Sequence, residues 1–99
     1  MVIKLKAQDR TGIIFLEGRL DASAAAEAQE ILLKTSERFD IMILDMAQLE
    51  YISSAGLRII KLLHMTMRKK GGELVLRNVG KMVMEVFEMT GFVSLLRIE

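Results

Sequence analysis

The run DIMILDM at residues 40–46 constrains the fold more than any other stretch of the chain. It is short and almost continuously apolar, which is the pattern of a strand buried on both faces of a sheet. Segments with helical character lie on either side of it, over about 22–38 and about 55–70. A strand between two helices argues for a sheet with helices packed on it and right-handed crossovers. The sequence therefore predicts an α/β fold.

The remaining elements extend this alternation. The expected elements are a strand at 2–7, a turn at Asp9–Gly12, a returning strand at 13–18, a first helix capped by Asp21, a second helix ended by Gly71-Gly72, a strand at 73–78, a helix over about 79–90 with Asn78 as N-cap and Gly91 as its stop, and a closing strand or edge segment at 92–99. The predicted order is β-β-α-β-α-β-α-(β), a mixed β-sheet with packed α-helices, in one domain covering residues 1–99.

The composition excludes several classes of function. The chain has no cysteine, so a disulfide framework, a thiolate nucleophile and a sulfur-ligated zinc site are ruled out. Its 14 basic and 13 acidic residues leave a net charge of +1, which gives no overall attraction to nucleic acid. The basic run Arg68-Lys69-Lys70 lies where a helix should end, and cations there complement the helix dipole. We expect no metal, no cofactor and no direct contact with nucleic acid.

The start of the chain, MVIKLKAQDRTG, alternates in polarity and lacks the apolar region of a signal peptide. No apolar run approaches the roughly 20 residues that are needed to span a bilayer. We therefore expect a cytoplasmic protein without membrane insertion.

Two adjacent serines, in the stretch EYISSAGLRII at residues 50–60, raise the question of catalysis. A hydrolase nucleophile elbow needs Gly-x-Ser-x-Gly, but Ile52 stands where the first glycine would precede Ser54. The one histidine, His64, lies almost three turns along the same predicted helix, roughly 15 Å away at a rise of 1.5 Å per residue. It is too far away to act as the base for that hydroxyl. A serine hydrolase is thus the weakest of the alternatives.

The same two serines stand where a helix begins. Either hydroxyl, of Ser53 or of Ser54, could accept a backbone N–H and cap the helix, which contributes about 1 kcal/mol. The first-turn amides and the helix dipole also favour negative charge at this position. A phosphate would add about −1.5 to −2 charge, and a partner docking here would meet repulsion and a desolvation cost. Gly56 has no side chain, so we expect it to let a partner's active site approach the backbone.

The last predicted helix carries two neighbouring stripes of apolar side chains, and one of them contains two methionines. Met82, Val86 and Met89 share one helical stripe, and Val83 and Phe87 form a neighbouring one. Methionine fills gaps in cores, but it also suits adaptable protein-binding surfaces. Core packing explains most of this pattern, so we expect the methionine stripe to belong mainly to the core.

Across essentially its whole length the chain resembles the STAS-domain proteins, specifically the bacterial anti-sigma factor antagonists. Three segments carry the resemblance: EGRLDA (17–22), LDMAQLEYISSAGLRIIKLL (44–63) and VGKMVMEVFEMTGF (79–92). They are similar to the family's Gly-x-Leu-Asp segment, to its strand–loop–helix signature and to its last helix with a Thr-Gly-hydrophobic end. The resemblance implies a STAS-type fold and a regulatory role without catalysis.

The resemblance also implies partner switching. The unphosphorylated antagonist binds an anti-sigma factor, itself a serine kinase of the histidine-kinase-like ATPase fold, and so frees a sigma factor. The kinase phosphorylates a loop serine, the pair separates, and a PP2C-type phosphatase resets the cycle. The alternative within the same fold is a non-catalytic subunit of a larger assembly, such as a stress-signalling complex or a lipid-transport ATPase.

Aligning Gly56-Leu57 with the family's Gly-Leu pair implies that Ser54 is the phosphoacceptor. Ser53 is the second choice, because it stands where the family usually has Asp, and Ala55 replaces the family's second Ser/Thr. Asp21 matches the family's acidic residue near this loop. The partner surface that the resemblance implies consists of Asp21, Ser53, Ser54, Ala55, Gly56, Leu57 and Arg58.

Overall fold

The structure, a computed structural model, describes residues 1–99. Its elements are β1 (Val2–Gln8), β2 (Thr11–Leu20), α1 (Ala22–Ser36), β3 (Ile41–Ile52), α2 (Ser54–Lys69), β4 (Glu73–Arg77), α3 (Lys81–Thr90), α4 (Phe92–Leu95) and β5 (Arg97–Ile98). The strands form one sheet in the order β1-β2-β3-β4-β5. β1 is antiparallel to β2, and all other neighbours are parallel. The predicted α/β class and mixed sheet are confirmed.

The core lies on one face of the sheet. Along β3, Met42, Leu44 and Met46 are fully buried, whereas Ile41 and Ile43 between them are partly exposed. The parallel strands are adjacent in chain order, so right-handed crossovers place their connecting helices on the same side. The expectation that this strand is buried on both faces is therefore wrong for Ile41 and Ile43.

Strand β3 is longer than predicted, because it continues past Met46 to Ile52. Its pairing with β2 shifts register twice along this extension. Such bulges interrupt the alternation of buried and exposed side chains along a strand. Residues 47–52 therefore lack the sequence pattern of a strand and were predicted as a loop. Asp45 stabilises the first bulge, since its Oδ1 accepts the N–H of Ala47 at 3.0 Å.

The start of α3 differs from the prediction. Asn78 does not cap this helix: it has a φ of 55°, and its side-chain amide donates to Asp45 Oδ2 at 3.0 Å. The helix begins at Lys81 after Gly80. Its end is as predicted, with Gly91 in the left-handed conformation at φ 79°. The Asn78 prediction fails because the partner of that side chain lies on another strand.

The closing segment folds as the short helix α4 followed by the two-residue strand β5, rather than as a single strand. The longest helix, α2, has 16 residues. No helix combines the length and the apolar character that crossing a bilayer requires.

Candidate functional site

The two loops that carry the predicted site lie side by side at the carboxyl ends of β2 and β3. Leu20 and Ile52, the last residues of these strands, are paired in the sheet. Ser53 follows Ile52, and both its N–H and its hydroxyl donate to the Leu20 carbonyl, at 2.9 Å and 3.1 Å. These bonds hold the start of α1 next to the start of α2.

Ser53 is the N-cap of α2. It has extended backbone angles, φ −93° and ψ 174°, and its Oγ accepts the N–H of Gly56 at 3.2 Å. The same hydroxyl donates to Leu20, so both of its hydrogen-bonding functions are used inside the fold. Ser53 is half-buried. It therefore has the capping role that the sequence left open between the two serines.

Ser54 is the first residue of α2, and its side chain is exposed. Its hydroxyl makes no hydrogen bond within the protein. The amides of Ser54 and Ala55 belong to the first turn of the helix, where N–H groups have no intrahelical acceptor. Arg58 lies one turn further on the same helix face and is also exposed. The result is an accessible hydroxyl at the positive end of a helix dipole.

Asp21 caps α1, as predicted. Its Oδ1 accepts the N–H groups of Ser23 and Ala24, each at 3.1 Å, and the Ser23 hydroxyl at 2.7 Å. The hydrogen bond from the Ser23 hydroxyl, followed by that from the Ala24 N–H, lowers the pKa of Asp21 below its ordinary value. The loop beside Ser53 thus carries a permanent negative charge at neutral pH.

Gly56 and Leu57 are buried at the start of α2. A Cβ placed on Gly56 would lie 2.8 Å from side-chain atoms of both Leu20 and Ile52. The missing side chain therefore lets α2 pack against the ends of β2 and β3. Leu57 is buried in the core. Both residues thus have a packing role within the fold, and their contact with a partner stays a prediction.

His64 lies in the second half of α2, roughly 15 Å along the helix from Ser54 by the 1.5 Å rise per residue. It is buried, and its Nδ1 has no hydrogen-bond partner. Burial, and then the charge of Arg68, lower the pKa of His64 below its ordinary value. Ser54 and His64 do not form a nucleophile–base pair.

One surface feature next to this site was not predicted. Met82 and Met89 of α3 are 71% and 86% exposed, whereas Val83 and Phe87 are buried. The expectation that the methionine stripe belongs to the core is wrong for these two residues. The apolar residues of α3 cover more of the helix circumference than the face that packs against the core. This excess of apolar residues is the sequence signal that could have revealed the exposed stripe.

A groove of about 120 Å³ separates α3 from the end of β3. Its lining residues are Glu50, Tyr51, Ile52, Met82, Val83 and Val86. The guanidinium of Arg19 stacks over the Tyr51 ring at 4.3 Å from its centroid. The groove ends where the Ser53–Ser54 loop begins.

Comparison with known proteins gives the family. The STAS domain model matches residues 2–99, so this chain belongs to the STAS-domain family. A protein of Bordetella bronchiseptica provisionally named anti-sigma factor antagonist BtrV is 37% identical over 84 residues, which cover 84% of this chain and 72% of that protein. The anti-sigma-B factor antagonist of Listeria monocytogenes is 28% identical over 98% of this chain and 87% of its own length.

Solved structures show the same fold. The anti-sigma factor antagonist SpoIIAA in its unphosphorylated form has a TM-score of 0.78, with 18% identity over 99% of this chain and 87% of that one. The phosphorylated form of the Bacillus cell fate determinant SpoIIAA also has a TM-score of 0.78, with 18% identity over 99% of this chain and 91% of that one. At this identity the likeness establishes the architecture.

Proposed function

We propose that this chain is an anti-sigma factor antagonist that acts by partner switching. Unphosphorylated, it binds an anti-sigma factor that is also a serine kinase of the histidine-kinase-like ATPase fold, and a sigma factor is released. Phosphorylation of Ser54 ends this complex, and a PP2C-type phosphatase restores the binding form. The chain is a substrate in this cycle rather than an enzyme, and it works in the cytoplasm. The names of its relatives in Bordetella and Listeria support this role.

The difference between the two serines carries the proposal. The Ser53 hydroxyl is engaged with Leu20 and Gly56, whereas the Ser54 hydroxyl is exposed and free. A kinase can reach Ser54 without breaking any hydrogen bond of the fold. A phosphate on Ser53 would remove the cap of α2 and place charge in a half-buried position, which is costly.

A phosphate on Ser54 changes the surface more than the fold. It adds about −1.5 to −2 charge beside Asp21, so a partner that accommodates the neutral loop meets repulsion. The first-turn amides of α2 and the cation of Arg58 favour the same charge, because both are positive and within the first turns of the helix. The proposed partner surface consists of Asp21, Ser53, Ser54, Ala55, Gly56, Leu57 and Arg58, of which Gly56 and Leu57 are buried beneath the others.

The test uses the purified serine kinases of the histidine-kinase-like ATPase fold from the source organism, and the partner is the one that the wild-type chain binds. The Ser54→Ala variant should bind it but accept no phosphate, and Ser54→Asp should bind at least about tenfold more weakly, a difference of about 1.4 kcal/mol. Gln29→Glu, which adds a charge at an exposed position in the middle of α1, is the control and should bind like wild type. Phosphorylation of Ser54→Ala at the wild-type rate would contradict the assignment.

A further inference from the structure

Helix α3 carries an apolar stripe made of Met82, Val86 and Met89, in which the two methionines face solvent and Val86 is half-buried against the core. We call these three residues the α3 ridge. They are spaced i, i+4, i+7 and therefore share one helix face. Met82 and Met89 are 71% and 86% exposed. Single exposed apolar side chains are ordinary, but apolar side chains that are contiguous with a groove indicate a site of interaction.

The groove beside the α3 ridge is sized for a protein side chain. Its volume of about 120 Å³ is well below the about 300–1,000 Å³ of small-molecule sites. Tyr51 forms one wall, with the guanidinium of Arg19 stacked over its ring, and Met82 and Val86 form the other. An aromatic wall and a flexible methionine wall can accept an aliphatic side chain with some adaptation of shape.

Unpaired carboxylates border this apolar strip. Glu50 lines the groove, and Glu85 lies beside Met82 and Met89 on the surface of α3. Glu88 follows one turn later. None of these three carboxylates takes part in an ion pair. The three carboxylates outnumber the nearby cations Lys81 and Arg19, and Arg19 also lies 4.0 Å from Asp21, so the strip is complementary to a segment that places lysine or arginine around an apolar anchor.

The groove is also continuous with the proposed phosphorylation site, because Ile52 in its wall directly precedes the cap Ser53. We propose that the α3 ridge and its groove are a second docking surface for the same anti-sigma factor, taking an apolar side chain flanked by basic residues. This inference rests on the proposed function. The α3 ridge contributes binding affinity in both phosphorylation states, and phosphate on Ser54 lowers the affinity.

The test is a calorimetric titration of the same purified serine kinase. The double variant Met82→Gln/Met89→Gln should weaken the Kd about tenfold, as expected when anchors of an interface are lost. Leu62→Gln/Met65→Gln, which replaces two exposed apolar residues in the second half of α2, is the matched control and should stay within about twofold of wild type.

A charge reversal tests the second part of the inference. Glu85→Lys should also weaken the Kd about tenfold, since it opposes the basic flanks of the partner. Glu37→Lys, at the far end of α1, should leave it unchanged. Because all of the replaced side chains are exposed, the variants should have the thermal unfolding midpoint of wild type. A matching midpoint excludes misfolding as the cause of lost binding.

The outcomes separate the two proposals. If the ridge variants bind like wild type while Ser54→Asp loses binding, the docking surface is wrong and the proposed function stands. If wild type binds none of the organism's serine kinases of this fold, both are wrong. If light scattering shows a wild-type dimer that Met82→Gln/Met89→Gln converts to monomer, a second copy of the chain covers the α3 ridge, and the docking inference is overturned.

Discussion

At the scale of single residues, the two adjacent serines have different roles. Ser53 joins β2 to α2 through Leu20 and Gly56, and Ser54 carries an unengaged hydroxyl into solvent. The sequence predicted that one serine caps the helix, but the physical argument alone could not decide which. The decision depends on the carbonyl of Leu20, a long-range partner 33 positions away in the chain.

Stability measurements should separate the two serines. Ser53→Ala removes an N-cap and should lower the free energy of unfolding by about 0.5–2 kcal/mol. Ser54→Ala removes an exposed hydroxyl without a partner and should change it by less than about 0.5 kcal/mol. Urea unfolding followed by circular dichroism measures both. Equal losses in the two variants would show that the cap is shared.

At the scale of elements, the start of α2 depends on close packing at Gly56. Replacing it with serine places a Cβ 2.8 Å from Leu20 and Ile52, so α2 must shift, and we expect a loss of about 1–3 kcal/mol. Gly80→Ser is the control, because nothing lies within 4 Å of a Cβ there and serine is a good N-cap for α3. Urea unfolding of both variants decides the point. If Gly56→Ser is as stable as Gly80→Ser, the packing role of Gly56 is refuted.

The elements also show what the sequence could predict. Their order and type follow from hydrophobic periodicity, and the predicted helices lie within two residues of the observed ends for α1 and α2. The end of β3 was missed because its bulges break the alternation, and Asn78 was misassigned because its side chain donates to Asp45. The exposure of Met82 and Met89 depends on how α3 sits against β3, which periodicity does not determine.

The bulge in β3 gives a prediction about pH. Burial would raise the pKa of Asp45, but hydrogen bonds from the Ala47 N–H, Arg77 and Asn78 outweigh it and lower the pKa. A carboxylate with a depressed folded pKa stabilises the fold above its unfolded pKa, near about 4. That contribution is lost as the pH falls through the lower folded value.

Asp45→Asn should therefore lower the free energy of unfolding by about 1–3 kcal/mol at pH 7, because it removes charge-assisted hydrogen bonds from a buried site. The variant should also lose less stability than wild type on acidification below about pH 4. Asp9→Asn, at an exposed turn without a side-chain hydrogen bond, is the matched control and should keep the wild-type profile. Denaturant unfolding across this pH range is the measurement, and a steeper acid loss in Asp45→Asn would contradict the role given to this carboxylate.

At the scale of the whole molecule, the proposed switch changes charge and leaves shape alone. The loops before α1 and α2 are held together through backbone and side-chain bonds to Leu20, and Ser54 lies outside that network. Phosphorylated protein should thus keep the amide hydrogen exchange of the unphosphorylated form everywhere except in the first turn of α2 and the adjacent β2–α1 loop. Changed protection in β1 or β4 would instead indicate a conformational switch.

The central claim is that phosphate on Ser54 ends the complex. The direct measurement is to incubate the chain with the purified serine kinase and ATP, locate the phosphate by mass spectrometry, and titrate the phosphorylated product against fresh kinase. We predict phosphate on Ser54, and a Kd at least about tenfold weaker than that of the unmodified chain. Phosphate on Ser53 or elsewhere, or unchanged affinity after Ser54 is phosphorylated, would contradict the account.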